Sequence, residues 1–199
     1  MRLTPLDLEN LHVRLEVLGA AHKLPLKRAA EADSDVWTSL FPYSMVGEHF
    51  ELFWERIQRE QSLHQSIAFA VIREGRCAGI TCFLELNEPD RSVNIGGTYY
   101  RPEFRGGVVN IASKFLLLDY AFRSGCTRVQ FRVDEINSRS RNAVGKIGGI
   151  QEGILRRDKV TWTGRVRSTV IFSILEDEWP SASENLRRLM DASISHREK

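Results

Sequence analysis

The chain has 199 residues, 42% hydrophobic and 27% charged, the composition of a globular protein rather than a fibrous or disordered one. A formal net charge of +2 gives no bulk attraction to nucleic acid or a membrane surface, and no apolar run approaches the length needed to cross a bilayer. Residues 1–10 lack the apolar core of a signal peptide, so the expectation is a cytoplasmic protein with no nucleic-acid and no membrane partner.

In chain order, Leu11, Val13, Leu15 and Val17 alternate with polar residues, which predicts a half-buried strand over 11–17. A short helix is expected over 20–32, and the stretch from Phe41 to Met45 reads as a loop. Residues 47–60 place Phe50, Phe53, Trp54 and Ile57 on one helical face, with Glu48, Glu51, Glu55, Arg56 and Arg59 toward solvent. Three strands over 66–72, 77–86 and 93–100 follow in quick succession, with turn signals at Glu74-Gly75 and over 87–90, which predicts an antiparallel meander.

Residues 101–110 (Arg-Pro-Glu-Phe-Arg-Gly-Gly-Val-Val-Asn) read as a turn opening a helix capped by Asn110. That helix presents Ile111, Phe115, Leu118 and Phe122 and stops at Gly125. A strand over 128–133 leads to a helix started by Asn137 or Ser138 and closed by Gly148-Gly149. Strands over 151–160 and 167–175, joined around Thr163-Gly164, precede an amphipathic helix over 176–190 carrying Trp179, Leu186 and Leu189. One domain over 1–191 and a polar tail over 192–199 are expected. This order implies an α/β (α+β) fold, with a single mixed, mostly antiparallel sheet of about seven strands and helices on both faces. It suits neither a doubly wound nucleotide fold nor a P-loop, since no Lys-Ser or Lys-Thr follows the glycines.

A glycine-bearing turn that opens a helix aims several backbone N–H groups at one anion, and small residues let a phosphate approach the backbone. A phosphate-bearing cofactor is therefore the first expectation, and an ordinary capped connection is the alternative. Cys77, Cys82 and Cys126 are odd in number and lack zinc spacing, so they read as buried free thiols. His12, His22, His49, His64 and His196 are scattered, and no metal is expected.

The turn from Phe104 to Asn110, the helix sequence from Lys114 to Phe122, the run from Asp134 to Asn142, the run from Ile147 to Arg156 and the late stretch from Phe172 to Pro180 together resemble the GCN5-related N-acetyltransferases (GNAT). Within that superfamily they are most similar to the branch of ribosomal-protein N-terminal acetyltransferases. The resemblance implies acetyl-coenzyme A held between splayed strands. Its pyrophosphate would rest on the backbone of Arg105, Gly106, Gly107, Val108, Val109 and Asn110, and its pantetheine arm would run beside Thr98, Tyr99 and Tyr100. Arg101 and Arg105 are candidates for phosphate contacts. The turn departs from the family's R-x-x-G-x-G/A pattern, with Val108 in the second glycine position.

The chemistry so implied is acetyl transfer by direct attack of a primary amine, with a protein or peptide N-terminus as the expected acceptor. A polyamine, antibiotic or amino acid is the alternative acceptor, and a non-catalytic coenzyme A-binding domain is the alternative class. Ser140 is the candidate partner of the departing thiolate and Asn137 a cofactor or positioning residue, although helix capping accounts for both residue types. An N–H near Tyr99 or Tyr100 would stabilise the oxyanion, and the two rings themselves read as wall and core. Glu85, Glu152 and Asp158 are candidate general bases, with plain surface carboxylates and a proton carried by a water chain as the alternative, and Asn94 stands where an acid is often expected. Trp37, Phe41, Tyr43, Phe50, Phe53 and Trp54 lie in the region that covers the acceptor site in the family, although helix-to-sheet packing accounts for Phe50, Phe53 and Trp54. A homodimer through the late strands and the Trp179 helix is a further expectation.

Overall fold

The computed structural model describes residues 1–195. Among these, eight strands form one sheet: β1 (Leu8–Glu9), β2 (Arg14–Val17), β3 (Ser66–Arg73), β4 (Arg76–Asn87), β5 (Ser92–Tyr100), β6 (Arg128–Asp134), β7 (Ile150–Val160) and β8 (Val166–Leu175), in the spatial order β1-β2-β3-β4-β5-β6-β8-β7. Every neighbouring pair is antiparallel except β5 and β6, the pair joined by a crossover helix. The helices are α1 (Lys23–Ala30), α2 (Asp35–Ser39), α3 (His49–Ser62), α4 (Val108–Arg123), α5 (Ser138–Lys146) and α6 (Trp179–Ser195).

Strand alternation sorts the side chains into two cores, one per face of the sheet. Val93 and Ile95 of β5, and Val129, Phe131 and Val133 of β6, meet α4, α5 and α6 in the larger core. Ala68, Ala70, Ile80, Cys82 and Tyr99 meet α1, α2 and α3 in the smaller one, built around Trp37, Phe50, Phe53 and Trp54. The tip of the β7–β8 hairpin folds onto this second layer. The Trp162 indole N–H donates to the Trp37 carbonyl at 2.7 Å, and the Trp162 backbone N–H to the Pro42 carbonyl at 3.2 Å.

The elements anticipated from the sequence are present, with informative differences. The first strand is shorter than 11–17, because Asn10 folds the chain through an Asx turn to His12 and Val13, leaving Leu11 92% exposed. The five-residue α2 is too short to show a period, and the helix expected over 20–32 is a 3-10 turn followed by α1. Asn110 does not cap α4: Gly107 holds the N-cap position in an extended conformation, so Val108, Val109 and Asn110 are the first three helical residues. The buried stripe of α4 turns with it: Val109, Ala112, Leu117, Leu118 and Ala121 are in the core, whereas Ile111 and Phe115 pack at its edge. Helix α6 continues through Ser195, so the start of the expected tail is helical. His196 and the residues after it lie outside the described part of the chain.

Candidate functional site

The sheet is open in its middle. β5 pairs with β6 only from Ser92 to Asn94, opposite Arg128 to Gln130, whereas the other edge of β6 pairs with β8 along its whole length, Arg128 to Asp134. From Ile95 to Tyr100 the β6-facing edge of β5 has no strand partner. A cleft of about 480 Å³ occupies this gap and reaches both faces of the sheet.

On the α4 face the cleft begins at the turn that sequence reasoning singled out. Gly106 has φ +74°, a left-handed conformation that glycine adopts without strain, and a Cβ at Gly106 or Gly107 would meet nothing within 4 Å. No side chain caps the start of α4. The first helical N–H groups are therefore left to an external acceptor, and the positive end of the helix dipole points the same way. Gly106, Gly107, Asn110 and Arg105 line the cleft, whereas Val108 and Val109 are buried in the core and offer only backbone.

Arg105, in the turn after β5, is held in place from the end of that strand and from the loop after α1. Its Nε donates to the Tyr100 carbonyl at 2.7 Å, its Nη1 pairs with the Asp33 carboxylate, and its guanidinium lies over the Tyr99 ring. Its Nη2 is buried without a partner, an orphaned donor beside the glycine turn. A phosphate fits that arrangement: an unspent guanidinium donor, free helix N–H groups and no side chain in the way. Arg101, by contrast, is spent on Glu103 at 2.8 Å and does not line the cleft.

The two tyrosines of β5 point to opposite faces, as neighbouring strand residues must. Tyr99 belongs to the α1–α3 core, where its hydroxyl donates to the Ala29 carbonyl at 2.8 Å, and Tyr100 is buried in the α4 core. Both act as walls, and their burial pushes both phenols up. Thr98 lines the cleft, and its hydroxyl receives a residue that sequence reasoning missed. Lys114, 5% exposed, extends from α4 and donates to Thr98 Oγ1 at 2.6 Å and Thr81 Oγ1 at 3.0 Å. No carboxylate pairs with Lys114 among the described residues, and burial pushes its amine down to about 7.

Asn137 and Ser140 meet at the start of α5. The Asn137 Oδ1 accepts the Ser140 backbone N–H at 3.0 Å, so Asn137 is the N-cap, and both residues line the cleft. Capping and lining thus coexist in the same two residues.

The opposite face of the cleft is walled by Phe41, Tyr43, Phe53, Arg56 and Glu60 from the α2–α3 layer and by Asn94, Arg132, Asp134 and Arg167 from the sheet. Trp37, Phe41, Tyr43, Phe50, Phe53 and Trp54 form one aromatic cluster, of which only Phe41, Tyr43 and Phe53 reach the cleft. Of the carboxylates considered as bases, only Glu85 lines the cleft, and it is exposed. The Arg128 guanidinium and the Ser173 hydroxyl hold Glu152 down to about 2, and it lies outside the cleft. Burial raises Asp158, but bonds from Thr169 and Arg132 outweigh it and leave the carboxyl below its usual value. Burial pushes Cys82 up to about 12 and Cys126 to about 11, values that make inert thiols at neutral pH. Among the described residues no cluster of His, Cys, Asp and Glu could hold a metal ion, and no helix is long and apolar enough to cross a membrane.

An antiparallel meander, a splayed parallel pair and a glycine turn at the start of the crossover helix define an acyltransferase of the GNAT class. The model of the acetyltransferase (GNAT) domain matches residues 12–150, and the chain belongs to that family. No curated protein matches it. Among solved structures, a GCN5-related N-acetyltransferase from Brucella melitensis is 26% identical, with 94% of this chain and 86% of that one covered at a TM-score of 0.85. RimJ of Mycobacterium smegmatis, in complex with a coenzyme A disulfide, is 20% identical with 92% and 94% covered at a TM-score of 0.81. RimL, a ribosomal alpha-N-protein acetyltransferase in complex with coenzyme A, is 14% identical with 87% and 99% covered at a TM-score of 0.77. The last two share the fold with this chain.

Proposed function

We propose that this acetyltransferase moves an acetyl group from acetyl-CoA to the N-terminal amine of a protein or peptide, by direct attack within a ternary complex. The observation that carries the reading is the gap between β5 and β6, which joins the glycine turn on one face to a charged, aromatic chamber on the other. Cofactor and acceptor can then meet through the sheet from opposite sides. The peptide acceptor is supported by the fold shared with RimL, whose acceptor is a protein α-amine.

Acetyl-CoA supplies an activated thioester, and the residues of the chain arrange the rest. The N–H groups from Gly106 to Asn110 and the free Nη2 of Arg105 hold the pyrophosphate. The unpaired edge of β5 from Ile95 to Tyr100 offers backbone groups to the pantetheine amides and one N–H to the thioester oxygen as it gains charge. The Ser140 hydroxyl, on the cleft wall, donates to the sulfur as it leaves. Asn94, 5% exposed with its Oδ1 unpartnered, accepts a hydrogen bond from the attacking amine and so aims its lone pair.

Titration of the protein with acetyl-CoA and coenzyme A by calorimetry tests the cofactor side. Saturable binding that weakens at least tenfold in Arg105→Glu is expected, and no binding at millimolar cofactor would sink the reading. Acetylation of a peptide panel, with mass readout at the α-amine, then tests the acceptor class.

A further inference from the structure

We propose that Arg167 is the anchor for a carboxylate carried by the acceptor, so that this enzyme selects amines with an acidic group close to the nucleophile. The inference rests on the reading above, in which the α1–α3 face is the acceptor side. The carboxylate can belong to an acidic side chain near a peptide N-terminus or to a free amino acid. Both present the same chemistry to the site.

The argument begins with charge pairing in the chamber. Arg56 is matched by Glu60 at 3.7 Å, one turn along α3. Arg132 is matched by Asp158 at 3.2 Å and approached by Glu85 at 4.0 Å. The remaining carboxylate, Asp134, is 3% exposed and serves two arginines. Arg165 claims it through a close contact between its Nη2 and Oδ2, reinforced by its Nη1 at 3.5 Å from Oδ1. The Ile136 backbone N–H also donates to Oδ1, at 3.2 Å. Arg167 is left with its Nε 3.7 Å from the same carboxylate, without a hydrogen bond, and with its Nη2 donating to the Arg132 carbonyl at 3.3 Å.

Arg167 is 6% exposed and lines the cleft. A guanidinium stays charged at any working pH, so a buried and under-matched one is costly unless something anionic completes it. Lys159 adds a further cation to the same wall. Asn94 supplies the complementary half: a carbonyl oxygen without a partner, on the same cleft, suited to an amine rather than to an anion. An amine beside a carboxylate matches this pair of groups. A polyamine or a polycationic antibiotic would set its remaining charges against Arg167 and Lys159, which disfavours that acceptor class.

Calorimetry on protein saturated with coenzyme A tests the proposal, because it reads acceptor binding without requiring turnover. The probes are C-terminally amidated tetrapeptides with Asp, Asn or Lys in second place, together with free aspartate and alanine. The Asp peptide is expected to bind at least tenfold tighter than its Asn isostere, with the Lys peptide weakest. In Arg167→Gln the Asp-to-Asn ratio is expected to fall to within twofold of unity, and Arg167→Lys should retain part of it. Circular dichroism verifies that both variants fold. Tight binding of free aspartate in place of the peptides would assign the carboxylate to an amino acid and still support the anchor. Equal binding of Asp and Asn peptides, a preference that survives in Arg167→Gln, or no binding of any probe to the loaded protein would overturn it. Failure of the native protein to bind coenzyme A is a separate result and counts against the acetyl-CoA reading instead.

Discussion

Lys114 places its ammonium 2.6 Å from the Thr98 hydroxyl, between α4 and the sheet and in the wall of the cleft. Burial pushes that amine down to about 7 from 10.5, and no carboxylate among the described residues restores it. The sign follows from linkage. Between the folded and unfolded values the unfolded chain binds more protons than the folded one, so stability rises with pH across that window. The charge therefore destabilises the fold fully below about pH 7, and the penalty fades as pH climbs toward the ordinary lysine value.

Lys114→Met is accordingly expected to raise the unfolding temperature at pH 7. Thr81 and Thr98 would still partner each other at 2.9 Å. The gain should shrink by up to about 1.4 kcal/mol per pH unit above neutrality. Denaturant titrations of both proteins at pH 7, 8.5 and 10 measure this, and a pH-independent difference would refute the buried-charge account. Because Lys114 lines the cleft and holds the Thr98 hydroxyl beside the unpaired edge of β5, kcat is expected to fall in the same variant.

Asp33 competes with any bound phosphate for the Arg105 guanidinium. Asp33→Asn removes the carboxylate that grips the Arg105 Nη1 while leaving the Nε bond to the Tyr100 carbonyl. Coenzyme A affinity is expected to rise about two- to tenfold in Asp33→Asn, and to fall about tenfold in Arg105→Gln. Both effects should weaken with added salt. Calorimetry at 50 and 300 mM salt gives the comparison, and an unchanged affinity in both variants would remove Arg105 from the phosphate site.

What was legible in the sequence was local. The stop at Gly125, with φ +86°, and the stop at Gly148, with φ +99°, follow from positions only glycine fills cheaply, and Asn137 caps as its side chain dictates. The same rule misplaced the start of α4. Asparagine is the better cap in general, but here two valines before it are already helical, and the cap is a glycine with no side chain to announce it. Lys114 was hidden for a related reason. A lysine in a helix reads as solvent-facing, and only the opening between β5 and β6 turns that helical position into the wall of a cleft. Arg132 and Arg167 likewise read as the polar alternation of half-buried strands. Their unequal share of carboxylates is a tertiary property that no single strand contains.

Asn137 and Ser140 can be separated by experiment because their structural and chemical parts differ. Asn137→Ala loses the bond to the Ser140 N–H and should cost about 1 kcal/mol of stability, whereas Asn137→Asp keeps the cap and most of it. Ser140→Ala leaves that backbone bond intact, so its stability should stay within about 0.5 kcal/mol. Its kcat is expected to drop about tenfold or more if the hydroxyl serves the leaving sulfur. Thermal melts and steady-state rates on all three variants decide this. A Ser140→Ala enzyme with native kcat would return the residue to a purely local role in the first turn of α5.

Gly79 and Gly145 provide the test of backbone packing. At Gly79, φ is +156° and a Cβ would fall 1.9 Å from the Tyr99 carbonyl oxygen, a backbone atom that cannot rotate away. Alanine there must push β4 and β5 apart next to the unpaired edge of β5. Gly79→Ala is therefore expected to cost about 2–4 kcal/mol and to weaken coenzyme A binding along with it. Gly145 is exposed within α5, has no positive φ, and a Cβ would meet nothing within 4 Å. Alanine at that position removes glycine's freedom in the unfolded chain and should stabilise by about 0.5–1 kcal/mol. Paired denaturant curves give both signs in one experiment. A Gly79→Ala protein as stable as the native chain would mean that β4 and β5 do not approach each other as closely as the Tyr99 carbonyl requires.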